Sequence, residues 1–564
     1  MKKTGGQIVC ESLLLEGVDV IFGIPGGAIL PLYQTLSGYP ELRHILTRHE
    51  QGASMAADGY ARITGKVGVC MATSGPGATN LITGLATAQM DCVPIVAITG
   101  QVGRAAIGKD AFQETDMTGV SLPVTKHNYL VTSADQIAST IKEAFYIANT
   151  GRPGPVLIDI PKDVFTEEAE FNYPETVNLP GYIADIEVDR LQVEKAANLI
   201  SEAKRPVILA GHGVIISKTY SELMTLAEKA QIPVITTLLG RSSFPDAHVL
   251  FVGMPGMHGV AYASLAIDEA DLVIGLGMRF DDRITGDVAS FAQNAKIIHV
   301  DIEPSEMNKN VAADIEVVGD LKTVFKLLNP LVSPKTHVEW LRRIDELKNQ
   351  HPSLRVRESS KLLPQHVVQD LCEATDGKAI IVTGVGQHQM WAAQHYACKE
   401  YNSFITSGGL GSMGYEVPAA MGAQLGRPDR VVWSIAGDGG FQMTMSELAT
   451  IVENNIPVKF AIFNNNFLGM VRQWQEIFYE KDYFATHYTG NPDFVKLADA
   501  FGIHGIRVTD RADSKQAIRE AMDHPGPVVI DFMVEAEENV YPMIPAGKST
   551  AELIEEPLPE GARP

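Results

Sequence analysis

Cysteine is scarce in this chain, with five in 564 residues at positions 10, 70, 92, 372 and 398. They form no CxxC pair and are odd in number, so no disulfide framework is encoded and a reducing compartment is expected. Positive charge is also in deficit. Lys and Arg number 46 against 68 Asp and Glu, a formal net charge of −22, which disfavours binding to a phosphate backbone and removes nucleic acid from the expected partners. No apolar run reaches the ~18–20 residues of a membrane span, and no signal-peptide pattern follows Met1. No membrane association and a cytoplasmic location are therefore expected. What remains is ordinary for a folded chain: 45% hydrophobic and 20% charged residues. The length implies more than one domain.

Short apolar runs closed by Gly or Pro recur at 18–23, 94–100, 155–161, 206–211, 270–275, 296–304, 379–384, 430–437, 458–464 and 527–534. They are nearly continuous rather than alternating, as strands covered on both faces of a parallel sheet should be. Helical spacing fills the gaps, as at Met445, Leu448, Ala449 and Val452. Two stretches read as joints: 166–187, acidic and aperiodic, and 330–364, with a charged helix-like segment between prolines. The expected fold is α/β, with three consecutive domains at 1–165, 188–330 and 364–564, each a mainly parallel sheet flanked by helices. The first and last are expected to be similar. Ser74-Gly75-Pro76-Gly77 and Ala436-Gly437-Asp438-Gly439 both follow an apolar run, open a helix and lead to a second run at nearly the same interval.

Only the later copy adds chemistry to this frame. Asp438 offers a hard anionic oxygen, Asn465 an amide oxygen 27 positions on, and the main chain just beyond, at Phe467, a carbonyl. All three fall at the carboxyl ends of expected parallel strands, where open α/β sheets bind ligands. Such a partial oxygen shell suits Mg²⁺ that completes its octahedron with phosphate oxygens and water. Glycines at 437, 439 and 440 let backbone approach a diphosphate, which the following helix N-terminus favours. The residues therefore point to metal Asp438, Asn465 and Phe467, with Gly437 and Gly439 in the phosphate cradle.

This pairing resembles the thiamine diphosphate (ThDP) motif. The run GDGGFQMTMSELATIVENNIPVKFAIFNNNFLGMVRQWQ, with FGIPGGAILPLY, RHEQGASMAADGYAR, TSGPGATN, GRPGPVLIDIPKDV, GMRFDDRITGD, TSGGLGSMGY and ENVYPMIPAGKS, resembles the acetohydroxyacid synthase (acetolactate synthase) family over nearly the whole chain. The resemblance implies three domains: a pyrimidine-binding one first, a FAD-binding-like one in the middle, and a diphosphate- and Mg²⁺-binding one last. It implies that pyruvate is decarboxylated on ThDP and condensed with pyruvate or 2-oxobutanoate, in branched-chain amino acid synthesis. Glu50 would hydrogen-bond the aminopyrimidine and relay its proton, and Met413, beside Gly411, would wedge the cofactor into a bent shape. Gly386, Gln387 and His388 would surround the diphosphate. Arg152, His258, Gly277, Arg279, Asp301, Ile302 and Asp320 would line FAD. Arg283 would hold the carboxylate of the second 2-oxo acid and Trp474 would favour the larger acceptor, with Gly27, Phe112, Gln113, Lys162 and Met257 also at the substrate pocket. A homodimer or tetramer with sites across the dimer, and a small regulatory subunit, are further implications. Glyoxylate carboligases characteristically lack the acid that stands here as Glu50. Pyruvate oxidases would instead spend the flavin on redox.

Some positions depart from the family pattern. Gly439-Gly440 stands for Gly-Ser, Glu416 for Gly, Val417 for Leu, and Arg241-Ser242 for a hydrophobic-Gly pair. None removes a catalytic group. A negative charge at 416, close to the cofactor pocket, is the least neutral of them.

Overall fold

The near-continuous apolar runs become strands buried on both faces, in a computed structural model that describes residues 1–556. The last eight residues of the third expected block lie outside the described residues. The first sheet comprises Val20–Gly23 (β1), Arg43–Leu46 (β2), Gly68–Ala72 (β3), Ile95–Gln101 (β4), His127–Leu130 (β5) and Val156–Pro161 (β6). The second comprises Pro206–Ala210 (β7), Val234–Thr236 (β8), Phe251–Gly253 (β9), Leu272–Leu276 (β10), Lys296–Asp301 (β11) and Ile315–Val318 (β12). The third comprises Ile380–Thr383 (β13), Phe404–Thr406 (β14), Val432–Gly437 (β15), Lys459–Asn464 (β16), His504–Val508 (β17) and Val528–Met533 (β18). Every pairing within these sheets is parallel.

Strand order shows the expected kinship of the outer units. The first sheet runs β2-β1-β3-β4-β6-β5 and the third β14-β13-β15-β16-β18-β17, the same order within each unit. The middle sheet runs β9-β8-β7-β10-β11-β12, the doubly wound arrangement that binds dinucleotides where the order reverses. All ten apolar runs fall on strands. Six of the remaining strands, β2, β5, β9, β12, β14 and β17, are sheet edges. They are short or half exposed, so their sequences carry little continuous apolar signal. The first joint contributes Glu168–Glu170, paired antiparallel with Lys2–Thr4. The charged segment of the second joint is the helix Val338–Gln350, which docks on the middle unit, its Trp340 indole donating to the Pro206 carbonyl at 3.0 Å.

The outer units share a single core. Helix α1 (Glu50–Thr64) crosses the helix Glu416–Gly426 so closely that Gly59 lies against Ala419 backbone and Gly422 against Ala56 backbone. One apolar cluster runs through Ile45, Ala56, Tyr60, Val417, Ala420, Met421 and Ile451 without a break between units. Because backbone meets backbone at the crossing, a side chain there has no room to relax. Gly422→Val is expected to cost at least the ~1–3 kcal/mol typical of overpacking, read as a lower midpoint in urea or thermal unfolding; an unchanged midpoint would contradict this packing.

Candidate active site

Three helices of the third unit start where its central strands end. They are α2 (Gln387–His395) after β13, α4 (Asp438–Thr444) after β15 and α5 (Gly469–Phe478) after β16. Asp438 is 1% exposed, and burial pushes its carboxyl up to about 6. Its Oδ2 accepts from the Asn491 amide at 2.6 Å. The same amide nitrogen donates to Asn464 Oδ1 at 3.3 Å and Asn466 Oδ1 at 3.1 Å, so three oxygens converge on one donor. Asn465 is turned differently: its Oδ1 accepts from Phe467 N at 3.0 Å, and its amide faces Gln387 Oε1 at 3.4 Å. One carboxylate among amide oxygens, beside open backbone, suits a hard divalent cation carrying an anionic partner. Among the described residues no cluster of three His, Cys, Asp or Glu offers an alternative metal site.

Around this corner, Gln387 is spent on structure, donating to Gln473 Oε1 at 2.9 Å and the Glu538 carbonyl at 3.1 Å. His388 is buried with Nε2 unpartnered, and burial lowers its pKa to about 3, so it is neutral. Met413 stands between Gly411 and Gly414, at φ +74° and +76°. Those conformations suit glycine and present the Met side chain at the tip of a tight loop.

That loop is anchored by charge from the first unit. Arg62 on α1 pairs with Asp58 at 2.6 Å and Asp91 at 2.8 Å, all three buried. Asp91 in turn accepts from Gly408 N at 3.1 Å and Gly409 N at 2.7 Å, while the Tyr415 hydroxyl donates to Asp58. Thr87 and Ser412 hydroxyls meet at 2.7 Å. The Glu447 carboxylate takes the main-chain N–H groups of Arg48 and His49, fixing the entry to α1.

Glu50 opens α1, half-buried, with Oε2 accepting from the Asn80 amide at 2.9 Å. Gly27, Phe112, Gln113 and Lys162 lie with it beyond the carboxyl ends of the first sheet. Phe112 is 89% exposed and nothing stands within 4 Å of a Cβ placed on Gly27. Among the described residues no hydrogen bond or ion pair joins Glu50 to Asp438, Asn465 or Gln387.

A cavity of about 1060 Å³ opens where the three units meet, the upper end of the size of cofactor sites. Arg152, His258, Gly277, Arg279, Asp301, Ile302 and Asp320 all line it, at the reversal point of the middle sheet. Met257, Arg283 and Trp474 line it too, as do Gly386, Gly411 and Met413. Arg283 Nη1 lies 3.6 Å from the Met257 sulfur and 3.5 Å from Asp282, half exposed and free to take a carboxylate. The Trp474 indole N–H and His258 Nε2 are buried without partners, and burial lowers His258 to about 3. Arg152 is held by Glu306 at 2.6 Å, and burial raises Asp301 to about 6.

Sequence reasoning missed Asn491, Asn466 and Asn80 around the two carboxylates, and the Arg62 cluster behind the loop. The triple Asn run after β16 was the available signal for the first group. Nothing local marks Asn491 or Asp91, whose partners are 53 and 317 positions away.

Family models for thiamine pyrophosphate enzymes match all three units: the N-terminal TPP binding domain at 3–120, the central domain at 193–328 and the C-terminal TPP binding domain at 384–532. The chain is 50% identical to an acetolactate synthase of Mycobacterium bovis, over 98% of this chain and 91% of that protein. It is 48% identical to an acetolactate synthase large subunit of Corynebacterium glutamicum, over 98% and 90%. A large subunit from Pyropia yezoensis is 47% identical, over 98% and 95%.

Asp438 carries a testable charge cost. Its folded pKa lies above the ordinary ~3.9, so the native state holds this proton more tightly and stability falls as pH rises from ~4 to about 6, then stays lost. Without divalent cation, Asp438→Asn is expected to be more stable than the parent by ~2–3 kcal/mol at pH 7.5 and equal to it at pH 3.5. Urea unfolding at both pH values checks this.

Proposed function

The chain belongs to the acetolactate synthase large-subunit family of thiamine pyrophosphate enzymes, and from that premise we propose that it decarboxylates pyruvate and joins the two-carbon unit to a second 2-oxo acid. Pyruvate as acceptor gives 2-acetolactate and 2-oxobutanoate gives 2-aceto-2-hydroxybutanoate, in valine, leucine and isoleucine biosynthesis. The observation that carries the reading is the buried Asp438 among converging amide oxygens at the carboxyl edge of the third sheet.

When bound, thiamine diphosphate supplies the electron sink for loss of CO₂. Asp438, Asn465 and the Phe467 carbonyl would hold Mg²⁺, displacing the Asn491 amide. Gly386, Gln387, His388, Gly437 and Gly439 would surround the diphosphate, with Gly411 and Met413 setting the bend. Glu50, oriented by Asn80, would give and take a proton at the aminopyrimidine, a positioned relay of the kind that contributes ~10²–10⁴ in rate. Arg283 offers a planar cationic fork to the acceptor's carboxylate. Trp474 and Met257 bound the pocket for its alkyl group, where one methylene is worth ~1–3 kcal/mol.

Glu50, Gly27, Phe112, Gln113 and Lys162 are separate from that pocket in one chain, so a second copy would complete it as a homodimer or tetramer. In this reading block 1–165 presents the pyrimidine end to the partner's block 364–564. The cavity at block 188–330 would hold FAD through Arg152, His258, Gly277, Arg279, Asp301, Ile302 and Asp320, as a structural group, since the reaction has no net redox. A small regulatory subunit and a cytoplasmic setting belong to the same proposal. No helix among the described residues is long and apolar enough to cross a membrane.

The test is direct. Purified protein is expected to show flavin absorption and to convert pyruvate to acetolactate only with ThDP and Mg²⁺, without oxygen uptake. Glu50→Gln is expected to lower turnover about a hundredfold. Oxygen-dependent turnover, or a loss under threefold, would overturn the assignment.

A further inference from the structure

Glu416 differs from the other buried acids near the site. It is the first residue of the helix Glu416–Gly426, which we label α3, is 0% exposed, and both its carboxyl oxygens lack a hydrogen-bond partner. The carboxyl lies in the crevice between the ends of β13 and β15, where the order of the third sheet reverses. Its Oε1 is 2.7 Å from the point a Cβ on Gly440 would occupy, and a Cβ on Gly384 would collide with the same carboxyl. The two departures noted in the sequence are therefore one feature. Glu416 fills space that a side chain at 440 would need.

No charge compensates it. β13 and β15 carry no ionisable residue, and α3 carries no other. On the neighbouring elements, Asp58 and Arg62 are bonded to each other, Glu50 to Asn80, Asp438 to Asn491, and Glu447 to the Arg48 and His49 main chain and the Thr450 hydroxyl. His388 on α2 is neutral and the Tyr415 hydroxyl is spent on Asp58. The contrast with Arg241, the other charged departure, is instructive: that guanidinium is matched by Asp246 at 3.1 Å and the Tyr396 carbonyl at 2.8 Å. Burial pushes the Glu416 carboxyl up to about 7, against the opposing pull of the nearby Gly414 and Glu416 main-chain N–H groups. A second negative charge, the diphosphate, arriving beside Gly440 disfavours the ionised form further.

We propose that Glu416 is a proton-holding residue of the diphosphate pocket, admitting the anionic cofactor only while its own carboxyl is neutral and offering that carboxyl's O–H as a donor toward it. The inference rests on the ThDP reading above. Its balance is simple: where Glu416 is ionised in the free protein, binding takes up one proton from solvent onto the carboxylate, and no other bond is made or broken.

The experiment is calorimetric titration of ThDP, at saturating Mg²⁺, into cofactor-free protein at pH 6.5, 7.5 and 8.5, in two buffers of different ionisation enthalpy. The parent is expected to lose affinity by up to ~10-fold per pH unit above pH 7 and to take up about one more proton at pH 8.5 than Glu416→Gln does. Glu416→Gln, neutral and nearly isosteric, is expected to keep the parent's affinity at pH 6.5 and to lose that slope and uptake. Contributions from Asp438 and from ThDP itself are common to both proteins and cancel in the difference. Should the Gln variant fail to fold by circular dichroism, Glu416→Gly serves, and it must lose the same uptake. Equal slope and equal uptake in parent and variant would overturn this inference alone. A parent that binds no ThDP at any pH would overturn the functional reading and this inference with it.

Discussion

The arrangement depends on one buried guanidinium. Arg62 sits between Asp58 and Asp91 with the Tyr415 ring 5.6 Å away, and from this point the three units are tied. Asp91 grips the main chain of Gly408 and Gly409 in the third unit, and its carbonyl meets His212 Nδ1 of the middle unit at 2.8 Å. Two carboxyl groups share one cation in a low-dielectric interior, which is tolerable only because N–H and O–H donors satisfy the remaining oxygens. The loop bearing Met413 is therefore held from behind by the first unit. Its position is a property of the whole chain, and no stretch of sequence near it contains the reason.

Site placement follows from strand order. In each sheet the order reverses beside a central strand, and the crevice beyond the carboxyl ends at that point is where side chains from neighbouring loops converge. In the middle unit the crevice lies between β7 and β10 and opens into the large cavity. In the third it lies between β13 and β15, beside the phosphate-type glycines. The first unit repeats the third's topology but has Ser-Gly-Pro-Gly where the third has the Asp-bearing turn.

Legibility differed by physical cause. Central strands were plain because both faces are buried, which forces runs such as those at 94–100 and 458–464. Edge strands such as Arg43–Leu46 and His504–Val508 were not, because one side meets solvent or a loop and polar residues are tolerated. The candidate ligands Asp438 and Asn465 could be picked out because their spacing spans one strand-helix-strand unit. Asn491 could not, because it reaches the same oxygens from a loop with no periodic signal.

The sequence by itself determined the class of fold, the kinship of the outer units and the chemistry available at the strand ends, since these follow from local hydrophobic pattern and from glycines and oxygen donors at fixed intervals. Only the tertiary structure decided which buried charges find partners. It paired Arg241 with Asp246, closed Arg62 between two aspartates, and left Glu416 alone beneath Gly440. Electrostatic compensation is a matter of distance in space, and the distances were set by helices crossing through glycine at Gly59 and Gly422.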